Sequence, residues 1–212
     1  PRSKVEATAA QGARIVLYDR LRESREEIGR RIAAETGATL VPPFDHPWII
    51  AGQGTCALEL LEQQQDLDAL VVCLGGGGLL AGCAIAARSL RPDIRVFGVE
   101  PEIANDYWLS LQRGEPVEIA PPATIADGLR TTRPGQWNFP IIRRLVDGVL
   151  LVSEQEIREA AKFILTRMKL VVEPSGAVGA AAVLAGKLPG AFRRVGIVLS
   201  GGNVDLETLA AL

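Results

Sequence analysis

The sequence predicts an α/β protein whose parallel or mixed sheet is covered by helices on both faces. Two observations support this fold class. Short runs that are almost wholly apolar, such as Ala69 to Leu74 and Val195 to Leu199, indicate strands buried on both faces. Segments with helix-opening signals alternate with these runs along the chain, and that alternation is typical of parallel sheets with helical crossovers.

The first forty or so residues predict helix, strand, helix and strand. The apolar run within Arg14 to Tyr18 indicates the first strand. Ser24 followed by Glu27 is a capping-box pattern, and it opens a helix that Gly37 ends. Thr39 to Val41 indicates a second short strand, which stops at the two prolines that follow it.

The rest of the chain repeats the alternation. A second capping-box pattern, Ser153 with Glu156, opens a helix that reaches about Arg167. The remaining predicted elements are, in chain order, helix Gly54 to Gln64, strand Ala69 to Leu74, an Ala-rich helix to Leu90, strand Ile94 to Val99, helix Gly176 to Leu184, strand Val195 to Leu199 and a short terminal helix.

Composition narrows the function classes. The chain has 212 residues and a net charge of −2, which gives no reason to expect nucleic acid or an anionic membrane as a partner. It contains no secretory signal and no apolar run of membrane length, so we expect a cytoplasmic location. Cys56, Cys73 and Cys83 lack metal-ligand spacing, and we expect Cys73 and Cys83 to be buried thiols. The single histidine, His46, is expected to be structural.

The four glycines Gly75 to Gly78 follow a buried strand and precede a helix. Glycine lets the backbone approach a ligand closely, and successive amides at a helix N-terminus form an anion site. No Lys-Ser/Thr pair follows, which excludes a nucleotide P-loop. A dinucleotide site remains open on the loop alone, because Gly76, Gly78 and Ala81 fit the looser spacing and Glu100 follows at a suitable distance. A structural tight turn also remains open.

A second glycine-rich strand end supports a ligand site. Ser200 to Asn203 follows the last predicted strand. Ligands of open parallel sheets gather at the carboxyl ends of strands, so the two glycine-rich segments could face one ligand. Ser200 could then hydrogen-bond the far end of a flat heterocycle, although a helix cap is an equally good use for it.

Five segments together resemble the serine/threonine dehydratase and serine racemase family of fold type II (tryptophan synthase β-like) pyridoxal-phosphate enzymes. They are residues 50–55 (IAGQGT), 72–82 (VCLGGGGLLAG), 124–128 (TIADG), 172–176 (VEPSG) and 199–205 (LSGGNVD). The resemblance covers essentially the whole chain in the family's order, and it displaces the dinucleotide interpretation. It implies pyridoxal 5'-phosphate as cofactor and an ammonia-lyase that eliminates water from serine, threonine or 3-hydroxyaspartate. Serine racemase is the alternative within the family.

The resemblance also implies the binding residues. Gly75, Gly76, Gly77, Gly78 and Leu79 would offer backbone amides to the cofactor phosphate, and Ser200 would hydrogen-bond the pyridine nitrogen. Gly128 and Glu173 would lie near the ring, and Glu173 could equally be a helix-start residue before a proline.

A divalent cation, Mg²⁺, Mn²⁺ or Ca²⁺, is implied as well. The positions that match the family's cation site are Glu100 and Asp106, through their carboxylates, and Ala104, through its backbone carbonyl. The alternative is that these acids are solvated residues at the start of a helix.

The chain departs from the family at one essential point. The family's cofactor is held by a lysine in a Ser-x-Lys-x-Arg-Gly type motif, which is absent here, and none of the lysines (Lys4, Lys162, Lys169 and Lys187) has matching surroundings. The chain begins with proline, so we expect an N-terminally truncated enzyme with no catalytic residue of its own. Residues 1–44 would be the C-terminal half of a small domain and residues 45–212 an incomplete large, cofactor-binding domain. The family implies a homodimer, and an inert fragment or pseudoenzyme remains an alternative.

Overall fold

A computed structural model describes residues 2–19 and 22–212. Its α-helices are α1 (Arg2–Ala10), α2 (Arg25–Thr36), α3 (Pro47–Gln63), α4 (Gly78–Leu90), α5 (Asp106–Arg113), α6 (Asn138–Leu145), α7 (Glu154–Phe163), α8 (Pro174–Leu184) and α9 (Leu206–Ala210). Its strands are β1 (Ala69–Cys73), β2 (Arg95–Pro101), β3 (Gly148–Val152) and β4 (Val195–Ile197). A 3-10 turn (Asp127–Leu129) precedes α6, and a π turn (Ile164–Met168) extends α7.

The chain forms two compact units, Pro1–Pro43 and Phe44–Leu212. In the first unit, α2 begins and ends as the sequence predicts. The Ser24 hydroxyl accepts a hydrogen bond from the Glu27 amide at 3.2 Å. Gly37 ends the helix in the left-handed conformation (φ 73°), which a residue without a side chain adopts at little cost. No described residue of this unit is buried.

The two strands predicted in the first unit do not form. Residues 14–18 and 39–41 have no regular structure, and the apolar side chains of Leu17 and Val41 are 81% and 68% exposed. A strand is stable only when a neighbouring strand satisfies its backbone groups, and the described residues of this unit supply no such neighbour. Local apolar runs were therefore insufficient evidence for strands at these positions.

The second unit contains a four-stranded parallel sheet in the order β3-β2-β1-β4. Every residue of β1 is buried. Its side chains alternate between two hydrophobic clusters, with Leu70 and Val72 in one and Val71 and Cys73 in the other. Helices therefore cover both faces of the sheet, and the predicted α/β fold class is confirmed.

Helices α3 and α4 pack with their backbones in contact. A methyl group placed on Gly54 would lie 2.9 Å from the carbonyl oxygen of Gly82, and one on Gly82 would overlap the carbonyl oxygen of Ile50. Helix α3 begins earlier than predicted, at Pro47, because the ring nitrogen Nδ1 of His46 accepts a hydrogen bond from the Trp48 amide at 3.2 Å. His46 is thus a capping residue, in agreement with the expected structural role.

Helix α7 has the predicted capping box. The Glu156 amide donates to the Ser153 hydroxyl at 3.2 Å, and the Glu156 carboxylate accepts from the Ser153 amide at 2.7 Å. Strand β3 and helix α6 were not predicted. The run Gly148–Val152 is apolar and could have been recognised as a strand. Helix α6 lacks a side-chain hydrogen bond at its N-cap, so no capping pattern in the sequence indicated where it begins.

No helix in the described part of the chain combines the length and hydropathy needed to cross a membrane. The three cysteines are free thiols, and Cys73 and Cys83 are buried as predicted.

Candidate functional site

The glycine loop joins the central strand β1 to helix α4. Gly75 to Gly78 are all buried, and Leu79 is half-buried. Gly77 is the N-cap of α4 and has a φ of 95°, a conformation that favours glycine. The loop therefore lies at the carboxyl end of a central parallel strand and at the positive end of a helix dipole, where anions bind.

The amides of this loop are available to a ligand. Among the described residues, no group accepts a hydrogen bond from the amides of Gly75, Gly76 or Gly77. The Gly76 carbonyl accepts from the Tyr107 hydroxyl at 3.0 Å and from Asn138 Nδ2 at 2.8 Å. Because the carbonyl and the following amide of a trans peptide point in opposite directions, the Gly77 N–H points away from Tyr107 and Asn138.

Packing alone requires glycine at three positions of the loop. A methyl group on Gly76 would overlap the ring of Phe44, and one on Gly77 would overlap the hydroxyl of Tyr107. A methyl group on Gly78 would lie 2.8 Å from the Phe44 carbonyl oxygen. The glycine content of the run therefore has a structural reason and does not by itself demonstrate a phosphate site. The free amides at the helix N-terminus are the observation that favours an anion.

Ser200 lies beside the end of β1. Its hydroxyl oxygen is 3.1 Å from the thiol sulfur of Cys73, the last residue of that strand. Burial raises the pKa of the Cys73 thiol, so the sulfur keeps its proton at neutral pH. A protonated thiol can donate to the Ser200 oxygen, which leaves the serine hydroxyl proton for a ligand atom.

Glu173 and Gly128 lie next to these two segments. The Glu173 amide donates to the Gly201 carbonyl at 3.0 Å, and Glu173 is also the N-cap residue of α8. The Gly128 carbonyl lies 3.3 Å from where a methyl group on Gly75 would be. The structure thus places Gly128 against the glycine loop and Glu173 against the residue after Ser200.

The acids of the predicted cation site lie together in the interior. Glu100 and Asp106 are completely buried. The Glu100 carboxylate accepts hydrogen bonds from the first-turn amides of α5, Tyr107 at 3.1 Å and Trp108 at 2.9 Å. Burial raises the pKa of Glu100 well above its usual range, and repulsion from Asp106 adds to this shift. Burial raises the pKa of Asp106 to about 7.

Two observations bear on whether a cation fits there. The oxygen Oδ2 of Asp106 is buried and has no hydrogen-bond partner among the described residues. Two buried acids that repel each other would be stabilised by a positive charge between them. Glu100, however, already acts as a cap for α5, as the alternative interpretation expected. The described residues contain no group of three or more His, Cys, Asp or Glu side chains that could hold a metal, so a backbone carbonyl such as that of Ala104 would have to contribute.

A parallel sheet with free glycine amides at one strand end and a serine at the next strand end is the architecture of an α/β protein that binds a phosphorylated, flat cofactor. The profile of the pyridoxal-phosphate dependent enzymes matches residues 1–201. The chain belongs to this family.

Similar proteins include ammonia-lyases and racemases. The chain is 53% identical over 212 residues to the L-threo-3-hydroxyaspartate ammonia-lyase of Saccharomyces cerevisiae, covering 100% of this chain and 65% of that protein. It is 48% identical over 210 residues to the serine racemase of Schizosaccharomyces pombe, covering 99% of this chain and 65% of that one. The structure of maize serine racemase superposes with a TM-score of 0.93 at 42% identity, covering 100% of this chain and 65% of that chain. The chain thus spans about 65% of the length of these relatives.

The resemblance predicts the site segments but not the residues that hold them in place. Tyr107 and Asn138 fix the Gly76 carbonyl, and Cys73 contacts Ser200. Asn138 lies 62 positions after Gly76 in the chain, and no local pattern connects the two. Only the fold could reveal these contacts.

Proposed function

We propose that the complete protein is a pyridoxal-phosphate-dependent ammonia-lyase that eliminates water from a hydroxy amino acid such as serine, threonine or 3-hydroxyaspartate. The observation that carries the proposal is the set of free amides at the start of α4, next to the strand end where Ser200 contacts Cys73. Two relatives named L-threo-3-hydroxyaspartate ammonia-lyase, at 53% and 52% identity, make 3-hydroxyaspartate the first substrate to test.

In this proposal the backbone of Gly75, Gly76, Gly77, Gly78 and Leu79 binds the cofactor phosphate, and Ser200 donates a hydrogen bond to the ring nitrogen. Bound pyridoxal phosphate supplies an electron sink for negative charge that develops at the substrate Cα. A neutral serine at the ring nitrogen, in place of a carboxylate, makes that sink milder and suits proton removal followed by β-elimination. Gly128 and Glu173 would lie near the ring.

The lysine that would hold the cofactor is not among those of this chain. Lys187 pairs with Glu156 at 2.7 Å, and Lys169 donates to the Thr166 carbonyl at 2.6 Å, so both amines are engaged away from the glycine loop. The 212-residue chain alone is therefore proposed to be inactive, with catalysis depending on a lysine elsewhere in the complete protein.

The activity is tested on the complete protein by measuring release of ammonia and 2-oxo acid from threo-3-hydroxyaspartate, L-serine and L-threonine. We expect turnover of at least one of them. Accumulation of D-serine from L-serine, faster than ammonia release, would favour the racemase alternative, which the 48% identity to a serine racemase supports. No reaction with any substrate in the presence of the cofactor would overturn the proposal.

The glycine loop is tested by Gly77→Asp in the complete protein. A carboxylate there would face the phosphate and would also overlap the Tyr107 hydroxyl, so cofactor binding should be lost. The matched control is Gly114→Asp, because Gly114 also has a positive φ (79°), but a methyl group there would meet only the Arg143 side chain, at an ordinary contact distance of 3.7 Å. Equal loss of cofactor binding in both variants, or binding retained by the Gly77 variant, would mean that the loop is misassigned.

A divalent cation (Mg²⁺, Mn²⁺ or Ca²⁺) at Glu100, Asp106 and the Ala104 carbonyl is part of the proposal. Its effect on the cofactor site would be indirect. Glu100 caps α5, α5 carries Tyr107, and Tyr107 holds the Gly76 carbonyl of the glycine loop. A cation that fixes the two acids would therefore stabilise the loop through Tyr107, whose amide is bonded to Glu100 and whose hydroxyl is bonded to the Gly76 carbonyl.

We also propose that the complete protein is a cytoplasmic homodimer, as the family resemblance implies. Three free thiols agree with a reducing compartment. Size-exclusion chromatography with light scattering would test the oligomeric state.

A further inference from the structure

Cys56 of α3 and Cys83 of α4 face each other where these helices cross. The Cys83 thiol donates to the Gln53 carbonyl oxygen at 3.8 Å. Gln53 lies one helical turn before Cys56 in α3. Both cysteines are free thiols.

The close packing of the two helices places both cysteines at the same part of the α3–α4 contact. Gly54 and Gly82 let the backbones of α3 and α4 touch, with a methyl group on Gly54 only 2.9 Å from the Gly82 carbonyl oxygen. Cys56 and Cys83 follow these glycines by two residues and by one. A disulfide requires Cα atoms within about 7 Å, a separation that helices reach only when small residues line their contact.

The two sulfurs differ in accessibility and acidity. Cys56 is half-buried and Cys83 is buried. Interaction with Cys83 lowers the pKa of Cys56 to about 7, against the opposing effects of burial and the Glu59 carboxylate. Interaction with Cys56 and burial both raise the pKa of Cys83. Cys56 is therefore the accessible thiolate, and Cys83 is the buried thiol beside it.

We propose that Cys56 and Cys83 form a peroxide-sensitive thiol pair, a modification site in which oxidation links α3 to α4. The Cys56 thiolate attacks one oxygen of hydrogen peroxide, the O–O bond breaks, and a sulfenic acid and hydroxide form. The Cys83 sulfur then attacks the Cys56 sulfur, the S–S bond forms, the S–O bond breaks, and water leaves. In sum, two thiols lose two protons and two electrons, and the peroxide is reduced to two molecules of water. A small-molecule dithiol reverses the change by exchange.

The link would act on the helix that begins at the glycine loop. Helix α4 starts at Gly78, so a covalent bond from Cys83 to α3 restrains the element whose N-terminus carries the free amides. Restraint of the unfolded chain by a disulfide stabilises the folded state. We therefore expect the oxidised protein to unfold at a higher temperature than the reduced protein, with the difference removed by dithiothreitol.

The test is peptide mapping of the protein after brief treatment with hydrogen peroxide. We expect one intramolecular linked peptide pair, Cys56 with Cys83, and an unmodified Cys73, which is the internal control because it is buried and its pKa is raised. A different pairing, an intermolecular disulfide, or simultaneous oxidation of Cys73 would overturn the proposal. This measurement needs no substitution and so does not depend on a variant that folds.

Two variants separate the roles of the sulfurs. In Cys83→Ser the sulfenic acid at Cys56 has no thiol to react with, so dimedone should label Cys56. In Cys56→Ser dimedone should label neither remaining cysteine. Equal labelling of Cys83 in the second variant, or none at Cys56 in the first, would contradict the assignment of Cys56 as the reacting thiol.

Discussion

At the scale of single residues, the buried acids are the most consequential feature of the second unit. Glu100 and Asp106 lie in the interior, and burial raises the pKa of both. Of these two acids, Glu100 is the one with both carboxylate oxygens bonded to backbone amides. Asp106 is therefore the residue whose charge state should most affect stability.

Asp106 should make the protein less stable as the pH rises, when a chelator keeps cations away. The pKa of an aspartate is about 3.9 in an unfolded chain, but burial raises that of Asp106 to about 7 in the folded one. Between these values the folded state binds more protons than the unfolded state. The free energy of unfolding should thus fall from about pH 4 to about pH 7, by up to about 1.4 kcal/mol per pH unit.

The measurement is urea unfolding of wild type and Asp106→Asn across this pH range. The Asn variant should lack this part of the slope, and Mg²⁺ should reduce the slope in wild type but have no such effect in Asp106→Asn. Asp93→Asn, which changes an exposed carboxylate, is the control and should behave as wild type. If Asp106→Asn and wild type lose stability in parallel, Asp106 does not carry a proton at neutral pH. If Mg²⁺ has no effect on wild type, the proposed cation site is wrong.

The sequence allowed the binding segments to be predicted, because glycine runs and Ser200 are local patterns. It did not allow their supports to be predicted. Whether Tyr107 reaches the Gly76 carbonyl depends on the position of α5 relative to β1, which is a property of the packed structure. The contact between Cys73 and Ser200 also depends on the packed structure. The sequence predicted Cys73 only as a buried thiol.

At the scale of elements, hydrogen bonds at helix ends were the most reliable signals. Ser153 and Ser24 both cap a helix as predicted, but only the helix that Ser153 opens buries residues (Ile157, Ala160 and Ala161). Ser153→Ala should lower the free energy of unfolding by about 1 kcal/mol, the usual effect of losing an N-cap. The substitution removes the hydroxyl that accepts from the Glu156 amide, but it keeps the Ser153 amide that donates to the Glu156 carboxylate.

Tryptophan fluorescence during urea unfolding is the appropriate measurement. The three tryptophans, Trp48, Trp108 and Trp137, all belong to the second unit, so the signal reports that unit alone. Ser24→Ala, the matched change in the first unit, should leave this transition unchanged. A shift of similar size in both variants would show that stability is shared between the units.

Strands were predicted less well than helices, and the reason is physical. A helix forms its backbone hydrogen bonds within its own segment, so its capping residues and its composition are enough to predict it. A strand needs a partner, and the apolar runs at residues 14–18 and 39–41 have none among the described residues, whereas Val195–Ile197 pairs with β1. Strand β3, which was not predicted, pairs with β2 along its whole length.

At the scale of the whole molecule, burial is divided unequally between the two units. Both hydrophobic clusters consist of residues at or beyond Ile50, and no described residue of Pro1–Pro43 is buried. Helices in proteins owe most of their stability to the packing of an apolar face. Helices α1 and α2 lack buried residues, so their local stability should be low.

Limited trypsin digestion of this chain should therefore begin in the first unit. Cleavage needs local unfolding, and the free energy of opening is smallest where few side chains are buried. We expect early cuts at arginines of α2, such as Arg30 and Arg31, and a resistant product that begins within residues 32–44. Arg113, an exposed arginine at the end of α5, is the matched site in the second unit and should be cut much later. Mass spectrometry of a digestion time course would identify the products. Early cleavage after Arg113, with α2 intact, would show that α2 gains its stability from contacts outside its own helix.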